Sequence, residues 1–407
     1  MPQIETVKAC FIALPLMILA WWVIPLRWPL RLPVGIVAGI LAAFGLATSV
    51  PSGDLAYLTD FCTMAGIYAI LTLGLNCQWG LAGHPNFGIA GFFAVGAFTT
   101  ALFTTTMPTG ILANYAKQAF GLGMPFLVGV AAAAVLSAIV GLLICVPILG
   151  LRTDFLAIAT LGIAAIIRLI FQNERWLANG PQPLTGIPQP LDCVFKQPTC
   201  SWLPHRLVAF FSPLQLRDYD FLYLVIVTLF LAGVYLALER IARSPWGRVL
   251  RAVRDEEASA DMSGKDVTWY RVESFVVGAF VIGIGGALYA HYVISIDYSH
   301  FQPLFGTFII WVMLMLGGSG NNRGAILGAF AVWLIWGGTS FVVQFATPLL
   351  AAISPALPSR DIYLQWLLIA ILLGVVVLFR PEGLIRERKV VSDFLPKDTR
   401  AESQPGE

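Results

Sequence analysis

The chain has 407 residues, of which 58% are hydrophobic and 12% are charged, and its formal net charge is +2. Soluble domains carry roughly 25% charged residues, so this composition excludes a water-soluble globule and indicates that lipid surrounds most of the chain. The sequence also lacks a basic stripe with interleaved aromatic residues, so we expect no nucleic acid partner.

Apolar runs close to the length of a bilayer crossing recur along the chain. Only a helix satisfies its own backbone hydrogen bonds in lipid, so each run of roughly 20 apolar residues predicts a transmembrane helix. The runs begin at Ala9, Pro33, Tyr57, Asn86, Met124, Phe155, Phe221, Val272, Phe305, Ala325 and Ile362. The pattern predicts an all-α, polytopic membrane protein of about eleven transmembrane helices, or about ten if two runs merge.

The runs divide the chain into three parts. We expect the first transmembrane helices in residues 1–56, with the first run retained rather than cleaved as a signal peptide. A core should follow in residues 57–384, and a disordered cytoplasmic tail in residues 385–407. Cytoplasmic loops are enriched in Lys and Arg, and segment 240–271 holds seven of the 25 such residues. Placing that segment in the cytoplasm puts the N-terminus and loop 173–220 outside.

Loop 173–220 contains Cys193 and Cys200. An oxidising compartment on the outside would allow these two residues to form a disulfide. Two free thiols are the alternative, and the sequence leaves both open.

The cytoplasmic segment 240–271 carries the pattern of a short amphipathic helix. Ser244 suits the N-cap and Pro245 the first helical position, with Gly264 as the expected end. Trp246, Leu250 and Val253 fall on one face. Such a stripe fits a groove on another protein, whereas the alternative is a helix lying on lipid headgroups. The acidic cluster that follows favours protein docking.

Catalytic patterns are absent from the sequence. It contains no phosphate-binding loop, no zinc-protease motif and no serine-nucleophile motif, and its four His residues lack metal-ligand spacing. We therefore expect neither an enzyme nor a metal site. Uphill transport by such a chain would draw energy from a partner or from an ion gradient.

Two glycine-rich turns, 80–88 and 317–324, should each join adjacent helices on the cytoplasmic side. Their small residues allow either close helix packing or exposed backbone groups that meet a solute. Arg168, inside an apolar run, could bind a substrate carboxylate or reach the interface. The candidate residues of a substrate path are Asn76, Gly80, Gly83, Gly88, Arg168, Gly317, Gly318 and Gly320.

A series of short motifs gives the chain a specific resemblance. They are N-C-Q-W-G at 76–80, F-G-I-A-G at 87–91, L-R-T-D-F-L-A-I at 151–158, R-S-P-W-G-R at 243–248, L-G-G-S-G at 316–320 and R-P-E-G at 380–383. In this order the series resembles the branched-chain amino acid ABC transporter permeases of the LivM type, from about Tyr57 to Leu384. Ala165, His84 and Ile89 depart from common choices in that family.

The resemblance implies an ABC importer permease with several partners. These are a second permease of the LivH type, two ATPase subunits that carry ATP and Mg, a periplasmic solute-binding protein and membrane lipid. No cofactor is expected in this chain, which would lie in a bacterial inner membrane. The residues implied to couple to the ATPase are Arg243, Trp246, Gly247, Arg248, Leu250, Arg251, Arg254 and Glu256.

The transported solute is less specific than the transporter class. Branched-chain amino acids are the expectation, and other amino acids, urea or amides are alternatives within the same importer class. An ion-coupled secondary carrier is the rival from another class. Such a carrier would need several carboxylates or His residues within the membrane, and this sequence has few.

Overall fold

The computed structural model describes residues 52–107, 117–148, 153–191 and 219–353, with scattered positions from 363 to 387. The two apolar runs that precede residue 52, most of the expected tail, and both Cys193 and Cys200 lie outside the described residues. The proposed disulfide therefore stays a prediction.

The described chain is helical, with isolated β-bridges and no strand in these ranges. Its α-helices are α1 Ser52–Leu75, α2 Ile89–Thr104, α3 Phe126–Ile148, α4 Thr153–Asn173, α5 Arg175–Ala178, α6 Tyr219–Arg243, α7 Pro245–Asp255, α8 Glu257–Met262, α9 Val267–Val293, α10 Ile309–Gly317 and α11 Asn322–Ile353. Helix α1 continues into a π-helical turn, Asn76–Leu81, and a second π-helical turn, Leu304–Phe308, leads into α10.

The prediction of a polytopic helical membrane protein is confirmed. Within the described ranges, five helices are long and apolar enough to cross a bilayer, and the apolar segments Ile89–Thr104 and Leu304–Gly317 are shorter. Eight of the predicted runs, from the one at Tyr57 to the one at Ala325, correspond to α1–α4, α6 and α9–α11. The scattered positions from 363 to 378 are also helical.

Helix α9 forms the centre of the bundle and packs against α1, α2 and α3. Small residues permit this close approach. A Cβ atom on Gly96 of α2 would lie 2.5 Å from the carbonyl oxygen of Gly283 in α9, and one on Gly286 would lie 2.5 Å from that of Phe93. The glycines of these helices therefore act as packing contacts.

Helix α9 also defines the two ends of the bundle. Helices α7 and α8 precede its first residue, whereas the backbone of Ile296, just beyond its last residue, pairs with Leu184 in the loop after α5. The segment 240–271 and the loop after α5 therefore lie at opposite ends of α9.

Candidate coupling site

Helix α7 begins as the sequence predicts but ends earlier. The Ser244 hydroxyl accepts a hydrogen bond from the backbone N–H of Gly247, and Pro245 occupies the first turn. The predicted single helix up to Gly264 is wrong, because Glu256 is extended, with φ −154°, and separates α7 from α8. Gly264 follows α8 with φ +73°, a conformation that suits glycine.

The apolar stripe of α7 faces the rest of the chain. Leu250 is fully buried and packs against Leu81 and Ala82 of the π-helical turn region. Trp246 is partly buried, and its indole N–H donates to the Glu273 carboxylate at 2.5 Å. The interpretation that this stripe itself occupies a groove on another protein therefore needs correction, because this chain already covers Leu250. Docking through the opposite face stays a prediction.

The opposite face of α7 and the turn after it are exposed and charged. Arg248, Asp255, Glu256 and Glu257 are all exposed. Helix α8 adds a further exposed surface, in which Met262 is 89% exposed. An exposed charged surface of this kind can be matched by a partner protein that carries the complementary charge pattern.

Arg254 links α7 to two distant segments. Its guanidinium donates to the carbonyl oxygen of Gly80 at 2.5 Å and forms ion pairs with Glu387 at 2.9 Å and Asp255 at 3.1 Å. Burial opposes ionisation, but the neighbouring Glu387 and Asp255 raise the pKa of the guanidinium, so Arg254 stays charged. The Arg254 Cγ atom would lie 2.9 Å from a Cβ atom on Gly83, whose φ is +76°.

The remaining predicted coupling arginines brace their own segment. Arg251 donates to the carbonyl oxygens of Gly247, at 3.3 Å, and Ala242. Arg243 forms an ion pair with Glu239 in the preceding helical turn. Gly247 is buried against backbone atoms of the end of α6, where a Cβ atom would lie 2.4 Å from the Ala242 carbonyl oxygen.

A buried polar network lies under the π-helical turn. The Asn76 amide donates to the Asn322 side chain at 2.9 Å and accepts from the backbone N–H of Gly320 at 2.9 Å. Asn322 in turn donates to the Glu239 carboxylate at 3.1 Å. The network ties the end of α1 to the start of α11 and to α6, and it brings together Asn76, Gly80 and Gly320.

Loop 82–88 connects the π-helical turn to α2 and is held by hydrogen bonds from several helices. The Asn86 amide donates to Gln78 at 2.8 Å, and the Trp311 indole N–H donates to the Asn86 carbonyl oxygen at 3.0 Å. The backbone N–H of Phe87 donates to Thr160 in α4 at 3.1 Å. A displacement of the turn would therefore reach α4 and α10.

The other candidates for the substrate path lie apart or are tightly packed. A Cβ atom on Gly317 would lie 2.0 Å from the carbonyl oxygen of Gly324, and one on Gly88 would lie 2.9 Å from that of Thr160. Gly318 adopts φ +109°. Arg168 lies on α4, away from this site, and its Nε atom is buried without a hydrogen-bond partner in the described structure. The geometry supports packing as the role of these glycines.

Several residues of the site have no signal in the sequence. Glu239 and Asn322 join the network only because α6 and α11 meet there, and Glu387 falls in the segment expected to be a disordered tail. The ordered contacts therefore extend past the expected boundary at residue 384.

Comparisons with known proteins agree with the resemblance. The family model described as the branched-chain amino acid transport system / permease component matches residues 57–379. A probable branched-chain amino acid transport permease protein LivM from Methanocaldococcus jannaschii is 28% identical over 354 residues, which cover 82% of this chain and 94% of that protein.

Two bacterial relatives are high-affinity branched-chain amino acid transport system permease proteins LivM. The protein from Salmonella typhimurium is 32% identical over 278 residues, and the one from Escherichia coli is 30% identical over 275. Each match covers 66% of this chain and 60% of the relative. No solved structure matches the chain. The chain therefore belongs to the family of permease components of branched-chain amino acid transport systems, of the LivM type.

Proposed function

We propose that the chain is the permease subunit of an ATP-driven importer of branched-chain amino acids. A second permease of the LivH type would complete the path, two ATPase subunits would bind the cytoplasmic end and use ATP and Mg, and a periplasmic solute-binding protein would deliver the solute. The names of the relatives support the substrate class. Branched-chain amino acids are zwitterions with an apolar side chain, so they need a protein path through lipid.

The observation that carries this proposal is the two-sided character of α7. Its apolar face is buried against the π-helical turn of the same chain, and its charged face is exposed. A partner that moves the charged face must therefore also move the buried face. Because Leu250 packs on Leu81 and the Arg254 guanidinium donates a hydrogen bond to the Gly80 carbonyl oxygen, the movement passes directly to the end of α1.

Loop 82–88 passes the movement of α7 on to other spans. Its hydrogen bonds to Thr160 in α4 and to Trp311 in α10 connect it to those helices. Closure of the ATPase dimer would thus shift several helix ends together and change the side to which the path opens. This is alternating access produced by a partner, with no ionisable relay required inside the spans.

Charge reversal at the exposed face tests the proposal. We expect Arg248→Glu to lower leucine uptake by about tenfold in proteoliposomes holding the whole importer, because one lost docking contact of ~1.4 kcal/mol has that effect. Association with the ATPase subunits, measured by co-purification, should fall in parallel. Arg175→Glu is the matched control, since Arg175 is exposed at the opposite end of α9.

Two results would contradict the proposal. Full uptake and unchanged ATPase association in Arg248→Glu would remove the docking face. The substrate class would be overturned if urea inhibited leucine uptake by the wild-type importer and isoleucine and valine did not.

A further inference from the structure

The end of α10 is capped by a distant part of the chain. The backbone N–H of Leu384 donates to the carbonyl oxygen of Leu316 at 2.8 Å, and that of Ile385 donates to the carbonyl oxygen of Gly317 at 3.0 Å. The last carbonyls of a helix have no partner within the helix, so these bonds satisfy groups that need one. We call the described positions 383–385 and 387 the C-terminal clasp.

The clasp can approach α10 this closely because of a glycine. A Cβ atom on Gly383 would lie 2.4 Å from the backbone nitrogen of Gly318 and 2.9 Å from the carbonyl oxygen of Met315. Gly383 also has φ +75°, which strains any other residue. The clasp and the turn after α10 therefore fit together as two backbones without side chains between them.

The last residue of the clasp contacts α7 rather than α10. The Glu387 carboxylate lies 2.9 Å from the Arg254 guanidinium, and the two side chains are only 25% and 23% exposed. Partial burial protects this ion pair from the screening that weakens surface pairs. Capping of α10 requires only the backbone of Leu384 and Ile385, so the ion pair adds a connection that the cap does not need.

Arg254 thereby joins three segments of the chain. Its guanidinium donates a hydrogen bond to the carbonyl oxygen of Gly80 and forms an ion pair with Glu387. A Cβ atom on Gly320 would lie 3.1 Å from the same guanidinium. The π-helical turn after α1 and the turn after α10 therefore meet at one side chain of α7.

The geometry points to Glu387 as a positioning residue for coupling, one that holds Arg254 so that movement of α7 reaches the ends of α1 and α10 together. This inference rests on the proposed importer function. The C-terminal clasp then transmits movement between α7 and the end of α10, in addition to capping α10.

A charge-swap cycle tests the inference in the complete importer. The variants are Glu387→Arg, Glu387→Gln, Arg254→Glu and the double variant Arg254→Glu with Glu387→Arg. The readouts are the amount of chain in the membrane, ATPase co-purification, and leucine molecules taken up per ATP hydrolysed. The matched control for the charge reversal is Glu174→Arg. The Glu174 carboxylate is exposed and accepts a hydrogen bond from the Trp176 indole N–H.

We expect Glu387→Arg to lower uptake per ATP by about tenfold, as interactions within one ion-pair network allow, with normal ATPase association. Glu387→Gln should give a smaller loss, and the double variant should recover part of the uptake that either reversal loses. Failure of the swap to restore any uptake would overturn the inference, as would normal uptake in Glu387→Arg. Loss of the chain from the membrane in Glu387→Gln would also overturn it, because the ion pair would then serve folding rather than coupling. A wild-type importer without ATP-dependent leucine uptake would instead contradict the proposed function.

Discussion

At the scale of single residues, the space around a glycine distinguishes positions where two helices touch from positions that are open. We expect Gly96→Ala to destabilise the protein by about 1–3 kcal/mol, because its methyl group would lie 2.5 Å from the Gly283 backbone and α2 and α9 would have to separate. Gly162 on α4 is the matched control, since a Cβ atom there meets nothing within 4 Å in the described structure. Thermal unfolding of the detergent-solubilised proteins measures the loss of stability. Equal Tm values for Gly96→Ala and the wild type would refute the close packing of α2 on α9 at this position.

The second prediction at this scale concerns His84, which is 5% exposed and has a buried Nε2 atom without a hydrogen-bond partner in the described structure. Burial, together with the nearby Arg271 guanidinium, lowers the pKa of His84 from 6.5 to about 4. The unfolded chain therefore binds a proton between those pH values while the folded chain does not, so stability falls as pH drops from 6.5 towards 4. The loss should approach about 3 kcal/mol.

His84→Gln tests this prediction because glutamine does not titrate in that range. We expect the Tm of the wild type to decline more steeply than that of the variant between pH 7 and about pH 4. Parallel declines in the two proteins would show that other groups account for the acid sensitivity.

At the scale of elements, the sequence predicts helices better than the surfaces on which they pack. The start of α7 follows from Ser244 and Pro245, because capping depends on adjacent residues. The break at Glu256 and the burial of Leu250 do not follow, because a stripe at helical spacing shows that a face is apolar but not which surface covers it. The same reasoning explains why the coupling residues named from the sequence mix exposed Arg248 with buried Leu250, which the structure separates onto opposite faces of α7.

The turns at Gly80 and Gly320 show the same division. Their glycines indicate tight turns in the sequence, and the structure confirms close backbone contacts. The meeting of both turns at Arg254 depends on contacts between residues far apart in the chain, and no local pattern specifies which arginine is used. Glu387 could not be identified as its partner, because charged residues near a C-terminus are usually solvated.

At the scale of the whole molecule, low charge and long apolar runs were enough to predict the membrane class, since lipid imposes helical spans on any such chain. The family followed from the order of several short motifs, each weak alone. The direction of the chain rests on the distribution of Lys and Arg, which biases insertion without fixing any contact. Orientation is therefore a separate prediction from the fold.

Labelling of single cysteines tests that orientation. In a cysteine-free background, we expect Gln182→Cys to react with a membrane-impermeant maleimide in intact cells, because Gln182 is exposed in the predicted outside loop. Ser263→Cys, exposed after α8, should react only after the membrane is permeabilised. The two positions lie at opposite ends of α9, so they must report opposite sides if α9 crosses the bilayer. The reverse pattern would place segment 240–271 outside, where no ATPase could reach Arg248, and would contradict both the orientation and the coupling mechanism.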